Sequence, residues 1–279
     1  MARLHPTFGL LESADRLEAL LAAFPAAREG RAADRTAVER VHAPEYLDLL
    51  ENISEPSFLD PDTVVSETSW TAALLAAGIA IEAAETSGFA LVRPPGHHAL
   101  PGRAMGFCLV NNIAVAARHM QAEHGVGRVA IVDYDVHHGN GTQEIFWDDD
   151  TVLFVSLHQW PFYPGTGGPD EQRETTVNIP MDAGSGDEEY LLAFDKVVVP
   201  AIEKFGPDLI LVSAGFDAHV EDPLAQIRVT AQGFRELSRR CAALAPRLAA
   251  VLEGGYNIVT LPRLVAAALE GFAENTTAG

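Results

Sequence analysis

Two potential metal ligands lie two positions apart after a strongly apolar segment. Asp135 and His137 alternate with Tyr134 and Val136, and alternate side chains of an extended chain point to the same side. Asp217, which follows another apolar segment, could supply a third ligand and leave positions open for water and substrate. These ligand types suit Zn²⁺, and they are also compatible with Fe²⁺, Co²⁺ or Mn²⁺.

Two adjacent imidazoles and a phenol could act on a substrate held by such an ion. His97 and His98 follow Pro-Pro-Gly, a tight-turn sequence that would hold both rings at one edge. Paired histidines opposite carboxylates indicate proton transfer, with each ring oriented through its far nitrogen, and Asp133 and Asn140 are the candidate partners. Tyr256 follows two glycines and could donate a hydrogen bond to a developing oxyanion.

These polar groups follow apolar runs that the sequence predicts to be buried strands alternating with helices. This order predicts an α/β protein with a single domain over 1–279, built on an open, mostly parallel sheet with helices on both faces. Ligands bind beyond the carboxyl ends of such strands. The predicted strands are 89–92, 129–132, 152–156, 176–179, 209–213 and 250–252. The predicted helices are a surface helix over 12–24 and then 69–85, 111–124, 188–205, 231–244 and 262–272. Residues 53–63 are rich in Pro, Asp and Ser and are predicted to form a mobile loop.

The charge balance restricts the possible partners. With a formal net charge of −20 and a pI near 4.7, the surface should repel nucleic acid and anionic lipid. Cationic substrates would be attracted, although the charge could serve solubility alone. Only two cysteines occur, which favours a reducing compartment. The N-terminal residues carry no export signal and no apolar run spans a bilayer, so we expect a cytoplasmic protein.

Seven motifs together resemble the zinc-dependent histone deacetylase and acetylpolyamine amidohydrolase family, whose fold is shared with arginase. They occur in the family's order and cover roughly 62–272. The motifs are Arg-Pro-Pro-Gly-His-His (93–98), Gly-Phe-Cys (106–108), Asp-Tyr-Asp-Val-His-His-Gly-Asn-Gly-Thr (133–142), Ser-Leu-His (156–158), Pro-Gly-Thr-Gly (164–167), Ser-Ala-Gly-Phe-Asp-Ala-His (213–219) and Glu-Gly-Gly-Tyr (253–256).

The resemblance implies a role for each group of site residues. The implied zinc ligands are Asp135, His137 and Asp217. The implied catalytic residues are His97, His98 and Tyr256, with Asp133 and Asn140 as partners of the histidines. The implied channel for the acyl-bearing side chain is lined by Gly106, Phe107, Tyr163 and Leu224. Structural K⁺ or Na⁺ is implied at two sites, mainly through carbonyls: Asp133, Asp135, His137, Ser156 and Leu157 form the first, and Phe146, Asp149 and Val152 the second.

Some positions depart from the family pattern or indicate a subgroup. Tyr163 stands where phenylalanine is usual, and its hydroxyl could change which chains fit. Leu224 stands where an acetylpolyamine-preferring subgroup has glutamate, which weakens the case for a polyamine substrate. Asn140 and the ending Leu-Glu-Gly-Gly-Tyr-Asn (252–257) resemble class II. Because Asp133 would favour imidazolium and neutral Asn140 would not, we expect His98 to be the general base.

Several alternatives stay open at this point. An arginase-like dinuclear manganese enzyme needs more bridging carboxylates, and His138 and either Ala218 or His219 stand where these would be required. A non-catalytic acetyl-amine binder is a second rival. The substrate could be acetyl-lysine in proteins, an acetylpolyamine, another small acylated amine, or a longer acyl amide. The sequence leaves the oligomeric state open, a homo-oligomer included.

Overall fold

The computed structural model describes residues 4–7, 9–244 and 246–274. Met1–Arg3, part of the N-terminal stretch in which we expect no export signal, lies outside the described residues. The helices are α1 Ala14–Ala23, α2 Arg35–Val38, α3 Pro44–Glu51, α4 Ser69–Thr86, α5 Asn112–His124, α6 Asn140–Phe146, α7 Asp187–Ala193, α8 Val199–Phe205, α9 Ala231–Ala242 and α10 Leu261–Ala273. The strands are β1 Ser57–Phe58, β2 Val64–Val65, β3 Phe89–Ala90, β4 Val129–Asp133, β5 Val152–Gln159, β6 Thr176–Met181, β7 Leu209–Ala214 and β8 Leu248–Leu252.

Six of the strands form one parallel sheet in the order β3-β8-β7-β4-β5-β6. The register brings the carboxyl ends of three strands together, because Asp133 at the end of β4 pairs with Ser156 in β5 and with Ser213 in β7. The loops that carry the polar motifs therefore leave the sheet along one edge. The predicted α/β fold with a mostly parallel sheet is confirmed.

The strands β4, β5, β7 and β8 each contribute to two apolar cores, one on each face of the sheet. Val129 and Ile131 of β4 pack in a cluster with α4 and α5, whereas Ala130 and Val132 pack with α9 and α10 on the opposite face. Alternate residues of a strand point to opposite faces. A strand with a core on each side must therefore be apolar at every position, which explains the continuous apolar runs.

Three predicted elements differ in detail from the observed ones. The predicted helix 188–205 is divided into α7, a π-helical segment Phe194–Val198 and α8. Pro200 lies at the start of α8 and has no N–H to donate to the preceding turn. The predicted loop 53–63 contains β1, which pairs with β2 in a short antiparallel ribbon. The strand predicted over 89–92 pairs with β8 only through Phe89 and Ala90.

Three short helices, α2, α3 and α6, were not predicted. Each has eight residues or fewer, too short for apolar periodicity to identify. Cys108 and Cys241 are both buried free thiols. Within the described parts of the chain, the structure has no helix long and apolar enough to cross a membrane.

Candidate metal centre and active site

The three predicted metal ligands converge in a buried group beyond β4 and β7. Nδ1 of His137 lies 3.1 Å from Oδ1 of Asp135 and 3.1 Å from Oδ2 of Asp217. One ligand atom from each residue lies within 4.8 Å of the other two, and all three residues are buried. Burial disfavours imidazolium, yet the two carboxylates raise the pKa of His137 to about 10. The same concentrated negative charge would stabilise a divalent cation.

The backbone around these ligands holds the carboxylates and leaves no space for larger residues. The amide of Val136 donates to Asp217 at 2.9 Å, and that of Gly254 donates to Asp135 at 2.8 Å. A Cβ atom at Gly254 would lie 2.2 Å from Oδ2 of Asp217, and one at Gly215 would lie 2.0 Å from Oδ2 of Asp135. The ligand types, their burial and this close backbone packing all fit a bound transition-metal ion.

The tandem histidines lie next to this group with different partners. Nδ1 of His97 lies 3.0 Å from Oδ2 of Asp133, and Nδ1 of His98 lies 2.8 Å from Oδ1 of Asn140. The two rings are 4.0 Å apart between centroids. Because these partners bind Nδ1, it is Nε2 of each ring that could exchange a proton with a substrate.

The partners give the two imidazoles opposite electrostatic properties. Burial opposes charge on His97, but the carboxylates of Asp133 and Asp135 raise its pKa to about 10. Burial lowers the pKa of His98 well below its usual value, and the positive charges of His97 and His137 lower it further. At neutral pH the pair therefore combines one imidazolium with one neutral imidazole.

The predicted oxyanion residue, Tyr256, lies in a loop held by two side chains that the sequence did not single out. Its amide donates to Oδ2 of Asp222 at 2.7 Å. The guanidinium of Arg16 lies 4.9 Å from the Tyr256 ring centroid and donates to the carbonyls of Glu253 and Gly255. Burial raises the pKa of the Tyr256 phenol well above its usual value, so the hydroxyl stays protonated and able to donate.

Arg16 belongs to α1, the helix predicted over 12–24 at the surface. One face of this helix is buried, with Arg16 and Leu17 at 1% and 2% exposure. Glu12 precedes the helix and pairs with both Arg16 and Arg93. Glu253 was also missed as a site residue, although it lies in a quoted motif: its carboxylate accepts from the amides of Gly96 and His97 at 2.7 and 3.2 Å.

A cavity of about 240 Å³ borders His98 and His137. The predicted channel residues Gly106, Phe107, Tyr163 and Leu224 all line it, together with His98, His137 and Tyr256. Two further lining residues, Asp62 and Phe162, were not predicted. Phe162 stacks on His137 at 5.4 Å with an interplanar angle of 19°. The cavity therefore combines aromatic walls with an acidic group from the loop that precedes β2.

The channel wall formed by Phe107 depends on that same loop. Phe107 has a φ of 67°, an unfavourable conformation for a residue with a bulky side chain. Its amide donates to Oγ1 of Thr63 at 3.1 Å, and the amide of Gly106 donates to Oδ2 of Asp60 at 3.4 Å. Residues of the predicted mobile loop thus hold the backbone that presents Phe107.

The residues implied to bind monovalent cations fall in two places. Asp133, Asp135 and His137 lie beside β5, where Leu157 is buried and Oγ of Ser156 lies 2.9 Å from Nδ1 of His158. At the second place, the carbonyls of Phe146 and Asp149 accept from the amides of Asp149 and Val152. The carboxylate of Asp149 pairs with Arg118 at 2.6 Å.

His138, which an arginase-like centre would replace with a carboxylate, is bonded elsewhere. Its Nδ1 lies 2.8 Å from Oγ1 of Thr166, and its Nε2 lies 3.0 Å from Oε1 of Gln143. Nδ1 of His219 accepts from the amide of Glu221 at 3.2 Å. Neither histidine is part of the group formed by Asp135, His137 and Asp217.

Known proteins resemble this chain in both sequence and structure. The histone deacetylase domain family matches residues 2–272. A probable deacetylase of Archaeoglobus fulgidus is 45% identical over 239 residues, which is 79% of this chain and 66% of that protein. The crystal structure of the HDA15 HD domain has a TM-score of 0.91 at 39% identity, covering 96% of this chain and 85% of that one. An acetylpolyamine aminohydrolase structure from Burkholderia pseudomallei has a TM-score of 0.88 at 32% identity, covering 95% and 92%.

The matched segments amount to 66%, 52% and 45% of the length of three curated relatives, so the chain spans about half to two thirds of such proteins. Within the chain, however, the family match is nearly continuous. The chain therefore belongs to the histone deacetylase and acetylpolyamine amidohydrolase family.

Proposed function

We propose that the chain is a metal-dependent amidohydrolase that removes the acyl group from N-acylated amines, with acetyl-lysine side chains as the first candidate substrate. The observation that carries this proposal is the convergence of Asp135, His137 and Asp217, because His137 also lines a cavity that His98 and Tyr256 border. Membership of the deacetylase family supports it independently.

Asp135, His137 and Asp217 would hold one divalent ion, for which Zn²⁺ is the first choice and Fe²⁺ or Co²⁺ the alternatives. When bound, the ion would act as a Lewis acid on the amide carbonyl and lower the pKa of an attacking water. Only one such group occurs around the site within the described residues, which favours a mononuclear centre over an arginase-like pair.

His98 would act as the general base. Burial and the positive charge of His97 lower the pKa of His98, which favours the neutral ring at physiological pH, and Asn140 holds its Nδ1 at 2.8 Å. The opposite nitrogen can then accept the proton from the attacking water.

His97 would carry the complementary positive charge. The ion pair with Asp133 keeps its ring protonated, so that it stabilises the negatively charged intermediate and can return a proton to the departing amine. The hydroxyl of Tyr256 would donate to the oxyanion of the same intermediate, and the Arg16 contacts to its loop keep the phenol in place.

The lining of the cavity favours an apolar, acyl-bearing side chain. Phe107, Phe162 and Tyr163 are aromatic walls, and Leu224 adds an apolar group at the same cavity. An alkyl chain would gain from apolar contact on several sides, whereas the Asp62 carboxylate is the lining group that could attract a cationic amine. Small acetylated amines, acetylpolyamines included, are therefore the second candidate class.

The test is release of carboxylate from a panel of acetyl-lysine peptides, acetylpolyamines and longer acyl-lysine peptides, compared by kcat/KM. We expect turnover that chelation abolishes and added zinc restores. Binding of acetyl-lysine peptide without any release of acetate would instead identify a non-catalytic binder. Two zinc or manganese ions both located at Asp135 and Asp217 would favour the arginase-like alternative.

A further inference from the structure

A second group of potential metal ligands lies away from the channel, where the C-terminal ends of α4 and α5 meet. Glu85 comes from α4, whereas His119 and His124 come from α5. Oε1 of Glu85 lies 3.2 Å from Nε2 of His119 and 3.1 Å from Nε2 of His124. The three atoms all lie within 4.8 Å of one another.

These separations fit a single ion between the three side chains. Zinc bonds of 2.0–2.2 Å to nitrogen and oxygen place neighbouring ligand atoms of a tetrahedron about 3.3 to 3.6 Å apart. The observed distances of 3.2 and 3.1 Å from the carboxylate oxygen lie just below this range. Two imidazoles and one carboxylate are also a ligand set of borderline character that suits Zn²⁺ better than Ca²⁺ or Mg²⁺.

The surroundings leave room for a further ligand. The side chains of His119, Glu85 and His124 are 18%, 30% and 38% exposed, so one side of the group faces solvent. The group borders an open cavity of about 620 Å³ that Glu82 and Glu123 also line. Water or a small anion could therefore complete the coordination.

Hydrogen bonding offers another explanation for the same distances. Each Nε2 would then carry a proton and donate to Glu85, whereas a metal ligand needs the lone pair on that nitrogen. The two arrangements differ in one measurable respect, which is whether the group takes up a transition-metal ion.

We propose that Glu85, His119 and His124 form a second divalent transition-metal site, which takes Zn²⁺ with water or a small anion as the remaining ligand. The bound ion connects the end of α4 to the end of α5. Because the three residues come together only in the folded chain, the ion stabilises the native state by mass action. The site does not touch the channel residues and does not take part in amide hydrolysis.

The experiment is equilibrium dialysis of the whole protein against Zn²⁺, followed by metal analysis. We expect two ions per chain in the wild type and one in the His119→Ala/His124→Ala variant. That variant keeps the deacylase activity of the wild type. In Asp217→Asn, which removes a ligand of the channel centre, the ion between α4 and α5 is retained, so the outcome does not depend on the proposed function.

Two further readouts separate ligand geometry from surface charge. Added Zn²⁺ raises the Tm of Asp217→Asn but not that of the same variant combined with His119→Ala/His124→Ala. The matched control is Glu123→Gln, because Glu123 lines the same cavity but pairs with Arg40 and lies outside the ligand group. This control keeps the second ion. Loss of all bound Zn²⁺ in Asp217→Asn, an ion content that the double-histidine substitution leaves unchanged, or loss of the second ion in Glu123→Gln would each overturn the proposal.

Discussion

Replacing Gly254 with alanine should strongly weaken zinc binding at the channel metal centre. A Cβ atom at this position would lie 2.2 Å from Oδ2 of Asp217 and 2.6 Å from Oδ2 of Asp135. Carbon and oxygen atoms without a bond between them rarely approach closer than about 3.2 Å, so the Asp217 carboxylate must move by about 1 Å and the Asp135 carboxylate by about 0.6 Å. Metal sites tolerate errors of only about 0.2 Å in their ligand distances.

The displacement sets the size of the expected effect. Loss of a supporting group around a metal site costs about 10- to 100-fold in affinity, and moving two ligands should cost at least the upper value, or about 2.8 kcal/mol. We expect Gly254→Ala to bind Zn²⁺ at the channel centre at least ~100-fold more weakly in competition with a chelating indicator.

The matched control is Gly102→Ala, because a Cβ atom at Gly102 would meet nothing within 4 Å. Its zinc affinity should equal that of the wild type. Far-UV circular dichroism and the Tm of the metal-free proteins test whether all three chains are folded. Zinc affinity of folded Gly254→Ala within a few-fold of the wild type would refute the assignment of Asp135 and Asp217 as ligands.

Three other substitutions test the roles of the remaining site residues. Tyr256→Phe should lower kcat by about 100- to 1,000-fold with zinc binding intact, since only the oxyanion donor is removed; steady-state kinetics and metal analysis check this. Asn140→Asp places a negative charge beside His98 and raises the pKa of its imidazole. The ring then stays protonated up to a higher pH, so the acidic limb of the kcat/KM profile should move upward by about 1 to 3 pH units. An unmoved limb in the pH–rate profile would contradict the role of His98. Thr63→Val removes the acceptor for the Phe107 amide, which should raise KM about 10-fold while zinc binding stays unchanged.

The sheet and the grouping of the candidate metal ligands were predictable because both follow local rules. Continuous apolar runs such as Val129–Val132 identify strands buried on both faces. Once those strands are parallel, their loops must meet at one edge, and Asp135 and His137 come from the same loop. The two-residue spacing then places both side chains together, and the structure brings Asp217 to the same point.

Contacts between distant segments were not predictable from the same rules. Arg16 reaches the carbonyls of Glu253 and Gly255 across more than two hundred positions of sequence. No periodic pattern distinguishes it from other helical arginines. Asp222 presents the same difficulty, since its contact with the Tyr256 amide depends on how two loops pack.

One residue that the sequence analysis missed stands beside a predicted residue of similar chemistry. Phe162 stands next to Tyr163, and the resemblance singled out only the tyrosine, whereas both side chains line the cavity.

The loop 53–63 has the composition of a flexible segment, yet Asp60 and Thr63 accept hydrogen bonds from Gly106 and Phe107. Composition describes the polarity of a loop but not what its polar groups contact.

Anomalous diffraction at the zinc absorption edge, from crystals of the zinc-loaded protein, tests the central claim most directly. We expect a peak in the channel about 2.0–2.2 Å from a carboxylate oxygen of Asp135, from Nδ1 of His137 and from a carboxylate oxygen of Asp217. Crystals of catalytically active protein with no anomalous peak at these three side chains would contradict the account.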